Sequence, residues 1–257
     1  RNDENLVSVS LPESLTDLGS STFEYCSNLT TINLPGKLTS IGQSVFEGCS
    51  SLTNIKLPES ITSIGQRAFS YCSSLNSINL PDGITSIAQE TFLNCSGLIS
   101  VNLPERLTSI GERAFSKCTS LSDITFPVNI TRIEAGTFSG CNNLTSFDFS
   151  RITSIGDSAF YGCGFKTVTI PENVTDIGNN VFSGCENLRS AKLPLNAEKI
   201  NEGMFSSCRR LSEIEIPASV KEIGDSAFAG CNALTEITLP EGLTSIGDSA
   251  FSGTGIT

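Results

Sequence analysis

Cysteine recurs along this chain at a nearly constant interval. The ten cysteines are Cys26, Cys49, Cys72, Cys95, Cys118, Cys141, Cys163, Cys185, Cys208 and Cys231, with gaps of 23 residues five times, then 22, 22, 23 and 23. A fixed period of this length is the mark of stacked, similar units. Phe stands three residues before every cysteine, from Phe23 to Phe228. An eleventh, Phe251, is followed by Thr254 in the cysteine place. All ten prolines share one further column, whose single gap is at Ser150. The unit reads C-x-x-L-x-x-I-x-L-P-x-x-L-T-x-I-G-x-x-A-F-x-x, in about eleven copies.

Each unit divides into three pieces. Residues 52–57 end in an apolar/polar alternation, which predicts a half-buried strand. Pro58 ends it, because proline cannot donate to a ladder. Residues 61–64 form a second extended piece, broken by Gly65. Ala68, Phe69 and Cys72 then fall at near-helical spacing, which predicts one short helical turn held by packing. A single coil cannot bury its own apolar side, whereas stacked coils bury a continuous core. The expected fold is a repeat solenoid of about eleven ~23-residue coils, with parallel β-strands and short helical turns. With no linker or charge block visible, residues 1–257 are expected to form a single domain. The chain begins in a strand and stops inside a coil, without visible caps, so it is expected to be a piece of a longer protein.

The columns set the expected core. Phe46, Cys49, Phe69, Cys72, Phe92, Cys95, Phe115 and Cys118 are its structural ladder. A zinc site needs four converging ligands, usually with C-x-x-C pairs or His. Here no two cysteines are closer than 22 residues and the chain has no His. Neighbouring strands would hold equivalent Cβ atoms about 4.8 Å apart, while a disulfide wants about 3.8 Å. Ten reduced, buried thiols acting as small hydrophobes are therefore expected. The glycine column (Gly42, Gly65, Gly111 and equivalents) is read as a tight turn with φ > 0, although Ala88, Glu134 and Asn201 interrupt it. No phosphate-binding glycine pattern is present.

Charge narrows the partners. The chain carries 16 Lys+Arg against 27 Asp+Glu, a net charge of −11. That disfavours nucleic acid and anionic membranes. The absence of His removes imidazole chemistry. No stretch approaches the ~20 apolar residues of a membrane helix, so no membrane insertion is expected. No cofactor is expected.

The outward strand positions are small and polar in the first half and acidic later. Asp123, Asp148, Glu213, Glu215 and Glu236 form a candidate acidic face for a basic partner or Ca²⁺. A glycosidase pair would need a cleft and one shielded acid. The repeat deviates most at 147–166, where Tyr161 and Phe165 are candidates for an exposed aromatic pair. Five Asn-x-Ser/Thr sequons occur, at Asn28, Asn94, Asn129, Asn143 and Asn173.

The unit resembles the BspA-like, or Treponema pallidum type, leucine-rich repeats. Cys49-Ser50-Ser51-Leu52 through Leu57-Pro58 and Ile61-Thr62-Ser63-Ile64-Gly65 through Ala68-Phe69 carry the likeness, which runs from about Leu6 to Phe251. The resemblance implies a right-handed leucine-rich-repeat solenoid. It also implies a secreted or cell-surface, non-enzymatic protein that binds proteins of the extracellular matrix or host-cell surface, as an adhesin does. It transfers no catalytic residue. The alternatives are a structural spacer presenting another domain and, less favoured, a carbohydrate-binding protein.

Overall fold

The computed structural model describes residues 3–256. Contacts group the chain into two units, Arg1–Ile130 with Cys141–Asn143, and Thr131–Gly140 with Leu144–Thr257. Each is a parallel β-solenoid built from the predicted coils. In the first unit, Ser8–Ser10 pairs with Thr31–Asn33, and Ser77–Asn79 with Ser100–Asn102. In the second, Thr167–Thr169, Ser190–Lys192 and Glu213–Glu215 pair in turn. The second extended piece pairs as well: Asp17–Leu18, Ser40–Ile41 and Ser63–Ile64 in one unit, Lys199–Ile200, Glu222–Ile223 and Ser245–Ile246 in the other. Every one of these pairings is parallel and equates column positions, such as Ile41 with Ile64.

Proline does more than end a strand. Its carbonyl accepts the N–H three residues on, as in Ile61 to Pro58 and Val174 to Pro171. This closes a turn between the two extended pieces. Where proline is missing, Phe149 opens the turn and accepts from Ile152. The one-residue deletion therefore places Phe149, not Ser150, in the proline role.

The third piece departs from the expected helical turn. Among the described residues it contains no helix. Its N–H groups alternate between two destinations. Ser44, Phe46 and Gly48 donate to the carbonyls of Gln66, Ala68 and Ser70 in the next coil, while Glu47 and Cys49 donate to Ser44 and Phe46 in their own. A helix would send every N–H back along its own segment. Here half of them build a third inter-coil ladder instead. The geometry needs two left-handed residues per coil, such as Ser44 and Gly48, or Arg67 and Tyr71. Fourteen of these positions hold residues other than glycine.

The glycine column is explained differently as well. Gly42, Gly65 and Gly111 are not left-handed; the left-handed residues lie two and six positions later. A Cβ on Gly65 would sit 2.6 Å from the Gln43 nitrogen, and one on Gly111 2.6 Å from the Gln89 nitrogen. Glycine suits these positions because adjacent backbones touch there, although Ala88, Glu134 and Asn201 fill the equivalent places in other coils.

The core follows the columns. Phe23, Phe46, Phe69, Phe92 and Phe115 stack with ring centroids 5.4–5.7 Å apart and planes within 13°. In the second unit Phe160, Phe182, Phe205, Phe228 and Phe251 continue the pattern at 5.4–6.0 Å. All ten cysteines are free and buried. The Cys49 thiol donates to the Phe23 carbonyl at 3.2 Å and the Cys95 thiol to Phe69 at 3.0 Å, each reaching one coil back. Burial pushes both thiols up to about 12. Desolvation disfavours the thiolate, so these sulfurs are packing atoms and weak donors, not nucleophiles.

Candidate protein-binding surfaces

In the first unit the strands hold alternate residues outward. Ile32 and Ile78 are buried, while Thr31, Asn33, Ser77 and Asn79 flank them in solvent. Parallel register aligns Ser77 with Ser100 and Asn79 with Asn102. Above the strands lies a shallow groove of about 590 Å³, lined by Asn54, Lys56, Glu59, Asn79, Asp82 and Asn102 among others. It offers carboxamides and single charges of both signs, on a framework fixed by backbone pairing.

The predicted acidic face is only partly assembled. Glu213 and Glu215 share one strand and one exposed face, Glu236 is exposed one repeat later, and Lys192 pairs beside Glu215. Asp148 is exposed in the same unit, but Thr169 and Lys192 occupy its column before Glu215. Its carboxylate accepts the Ser150 N–H at 2.9 Å, which holds its pKa below the usual range. Asp123 belongs to the other unit. Among the described residues no group of His, Cys, Asp and Glu could hold a metal ion.

The aromatic pair does not form. Tyr161 is 48% exposed, but Phe165 is 1% exposed and packs edge-on against Phe160 at 5.4 Å and Phe182 at 6.0 Å. Phe165 occupies the buried leucine column of Leu52 and Leu75, and the deletions in 147–166 leave room that Phe147, Phe149 and Phe165 fill. Exposed tyrosines do occur beside the left-handed turns. A Cβ on Gly48 would meet the Tyr25 ring at 2.3 Å, so Tyr25 lies over the glycine of the next coil. Glu47 and burial push the Tyr25 hydroxyl up.

Sequence reasoning missed one charged feature. The left-handed position two residues after the glycine column holds Arg67, Glu90 and Arg113 in consecutive coils. Glu90 is 3% exposed; Arg67 Nε donates to it at 2.5 Å and Arg113 Nη1 lies 3.7 Å away. The signal was available as opposite charges 23 residues apart, which stacking makes neighbours. Three sequon asparagines serve as inter-coil ties: Asn28 donates to Glu4, Asn129 to Glu105, and Asn173 to Phe149 and Ile152 carbonyls.

Comparison with known proteins agrees with this geometry. The family model for the BspA type leucine rich repeat region matches residues 1–98, 62–188 and 153–257. The chain is similar to a leucine-rich repeat protein from Bacteroides ovatus, with 28% identity and a TM-score of 0.82 over 98% of this chain and 77% of that one. It is similar to a leucine rich cell surface protein from Faecalibacterium prausnitzii, with 27% identity and a TM-score of 0.65 over 98% and 78%. It is also similar to a leucine rich repeat protein of T. pallidum, with 29% identity and a TM-score of 0.56 over 71% and 78%. A search of curated protein sequences gives no match.

Proposed function

Because the chain belongs to the BspA-type leucine-rich-repeat family, we propose that it is a non-enzymatic, surface-displayed module that attaches to a protein of the extracellular matrix or a host-cell surface. The observation that carries this reading is the exposed strand face. Consecutive coils repeat similar polar positions in fixed register, as in Ser77 beside Ser100 and Asn79 beside Asn102. Such a face makes many weak contacts at once and gains avidity without a deep pocket. The F. prausnitzii relative is described as a cell surface protein, which supports display outside the cell. No described helix is long and apolar enough to cross a membrane.

The exposed strand faces of the two units fit different partners. The groove of the first unit, with carboxamides beside Lys56, Glu59 and Asp82, suits a polar surface of mixed charge. Glu213, Glu215 and Glu236 suit a basic one, with Asp148 and Asp123 as separate single charges.

The test is a binding screen of the purified chain on immobilised fibronectin, fibrinogen, laminin and collagen. Saturable binding is expected to at least one. Replacing Glu213, Glu215 and Glu236 together with Ala should weaken a salt-sensitive hit, whereas Asp148→Ala alone should change it little. An unchanged affinity in the triple variant removes the acidic patch from the interface. Silence across the panel from folded protein favours a spacer role.

A further inference from the structure

In the first unit the residues before successive cysteines are Tyr25, Gly48, Tyr71, Asn94 and Lys117. Tyr25 and Tyr71 are each nearly half exposed, so neither is held by the core. The backbone beneath them is fixed by the third inter-coil ladder. Tyr25 N–H donates to the Glu47 carbonyl at 2.6 Å, Gly48 to Ser70 at 2.8 Å and Tyr71 to Leu93 at 2.7 Å. Gly48 lacks the Cβ that would strike the Tyr25 ring, so that ring covers the coil separating it from Tyr71. At a ladder spacing of ~4.8 Å, the two tyrosines stand about 10 Å apart.

A carboxylate without a partner lies beside this strip. Glu47 is 7% exposed, yet its side chain makes no hydrogen bond or ion pair among the described residues. It is the first cause that pushes the Tyr25 hydroxyl up, with burial, Glu24 and Tyr71 adding and Arg67 opposing. The two hydroxyls, the Glu47 carboxylate and the Arg67 guanidinium therefore share one patch. Arg67 leaves Glu47 unpaired, because its Nε is given to Glu90. Both tyrosine hydroxyls are donors at neutral pH.

The spacing of the rings selects the shape of a ligand. A polyproline II chain rises ~3.1 Å per residue with three residues per turn, so every third residue recurs after about 9 Å. Prolines three apart would meet Tyr25 and Tyr71 in turn. Such a chain has no internal hydrogen bonds, which leaves its carbonyls open to the tyrosine hydroxyls. Aromatic surfaces recognise proline-rich segments in this way, and the pre-formed ligand loses little entropy. The unpaired Glu47 adds a charge that an adjoining basic side chain satisfies. We propose that the Tyr25–Tyr71 strip receives a proline-rich, polyproline II segment of a polypeptide partner, with a basic residue beside it directed at Glu47. This deepens the protein-binding reading, rests on it, and adds a surface outside the strand faces.

The whole chain, its three tyrosines labelled with ¹³C in the rings, would be titrated with acetyl-hexaproline-Arg-amide. Saturable shifts at Tyr25 and Tyr71 are expected. None is expected at Tyr161, which is exposed in the other unit and has Ser206 two coils on. A peptide of equal length with alternating Gly and Ser before the Arg should bind about tenfold more weakly. Hexaproline ending in Gly instead of Arg should bind severalfold more weakly. Tyr25→Asn and Tyr71→Asn each remove one ring, and asparagine suits the left-handed backbone, as Asn94 does in the same column. Each variant should melt near the parent and lose about tenfold in affinity. No shift in the parent, equal shifts at Tyr161, equal binding of the Gly-Ser peptide, or full binding by either variant would each overturn the proposal. Cellohexaose shifting both rings as strongly as the proline peptide would overturn it in favour of a sugar platform. A matrix protein held equally by the parent and the double variant would refute the strip and leave the wider reading intact. Proline-peptide binding without any matrix partner would do the reverse.

Discussion

A buried thiol is a poor acid, and this chain buries ten. Cys49, Cys95, Cys141, Cys185 and Cys231 are each pushed from 9.0 to about 12. The folded state therefore holds protons that the unfolded chain releases above pH 9. Their contribution is fully present below that value and is lost as the pH rises toward 12. Urea unfolding followed between about pH 8 and pH 11 should show a steep decline in stability, and Cys95→Ser should make it shallower. A slope unchanged by the substitution would assign the decline to other groups. Left-handed residues matter at the same scale. Lys117 is exposed with φ near 60°. Relief of that strain exceeds the extra chain entropy of glycine, so Lys117→Gly should stabilise the fold by about 0.5–1 kcal/mol, read as a higher melting temperature.

The two extended pieces were legible because each carries its own signal: alternation before proline, and Ile before glycine. The third piece was not. Buried residues three or four apart, such as Phe69 and Cys72, look the same on a helical turn as on this array of turns. The distinction lies in left-handed residues, and Arg67, Tyr71, Glu90 and Lys117 announce none. The inter-coil ladder supplies the compensating hydrogen bonds, as when Tyr71 donates to Leu93 at 2.7 Å. Close approach of coils, not torsional freedom, fixes the glycine column. Gly65→Ala should therefore destabilise by about 1–3 kcal/mol, measured by denaturant midpoint, because the new methyl meets backbone that cannot rotate away. Phe165 reads as half of an exposed aromatic pair because the deletions obscure its register; two residues after Cys163 it falls in the leucine column and is buried. The bonds from the Asn201 amide to the Ile177 and Gly178 carbonyls were not legible, since only coordinates show where an amide spends its protons.

For the whole molecule, the net charge of −11 and its placement lead to different expectations for the two units. Attachment through Glu213, Glu215 and Glu236 should weaken strongly as salt rises past physiological strength, where charges more than about 8 Å apart are screened. Attachment through the groove at Asn79 and Asn102 should respond little. A salt series on the parent chain beside the triple-Ala variant separates these cases. The periodic core was readable at this scale because every coil repeats it. A period predicts the place of a departure, as at the missing proline near Ser150, better than its chemistry.

The stacked phenylalanines also make the protein its own optical gauge. The chain has no Trp and three Tyr against fifteen Phe. Its near-ultraviolet circular dichroism should therefore show sharp phenylalanine fine structure, sustained by rings held nearly parallel from coil to coil. That signal decays when the rings lose their order, even while strand pairing keeps the far-ultraviolet spectrum intact. A loosened core can thus be seen before the coils come apart, without attaching a dye.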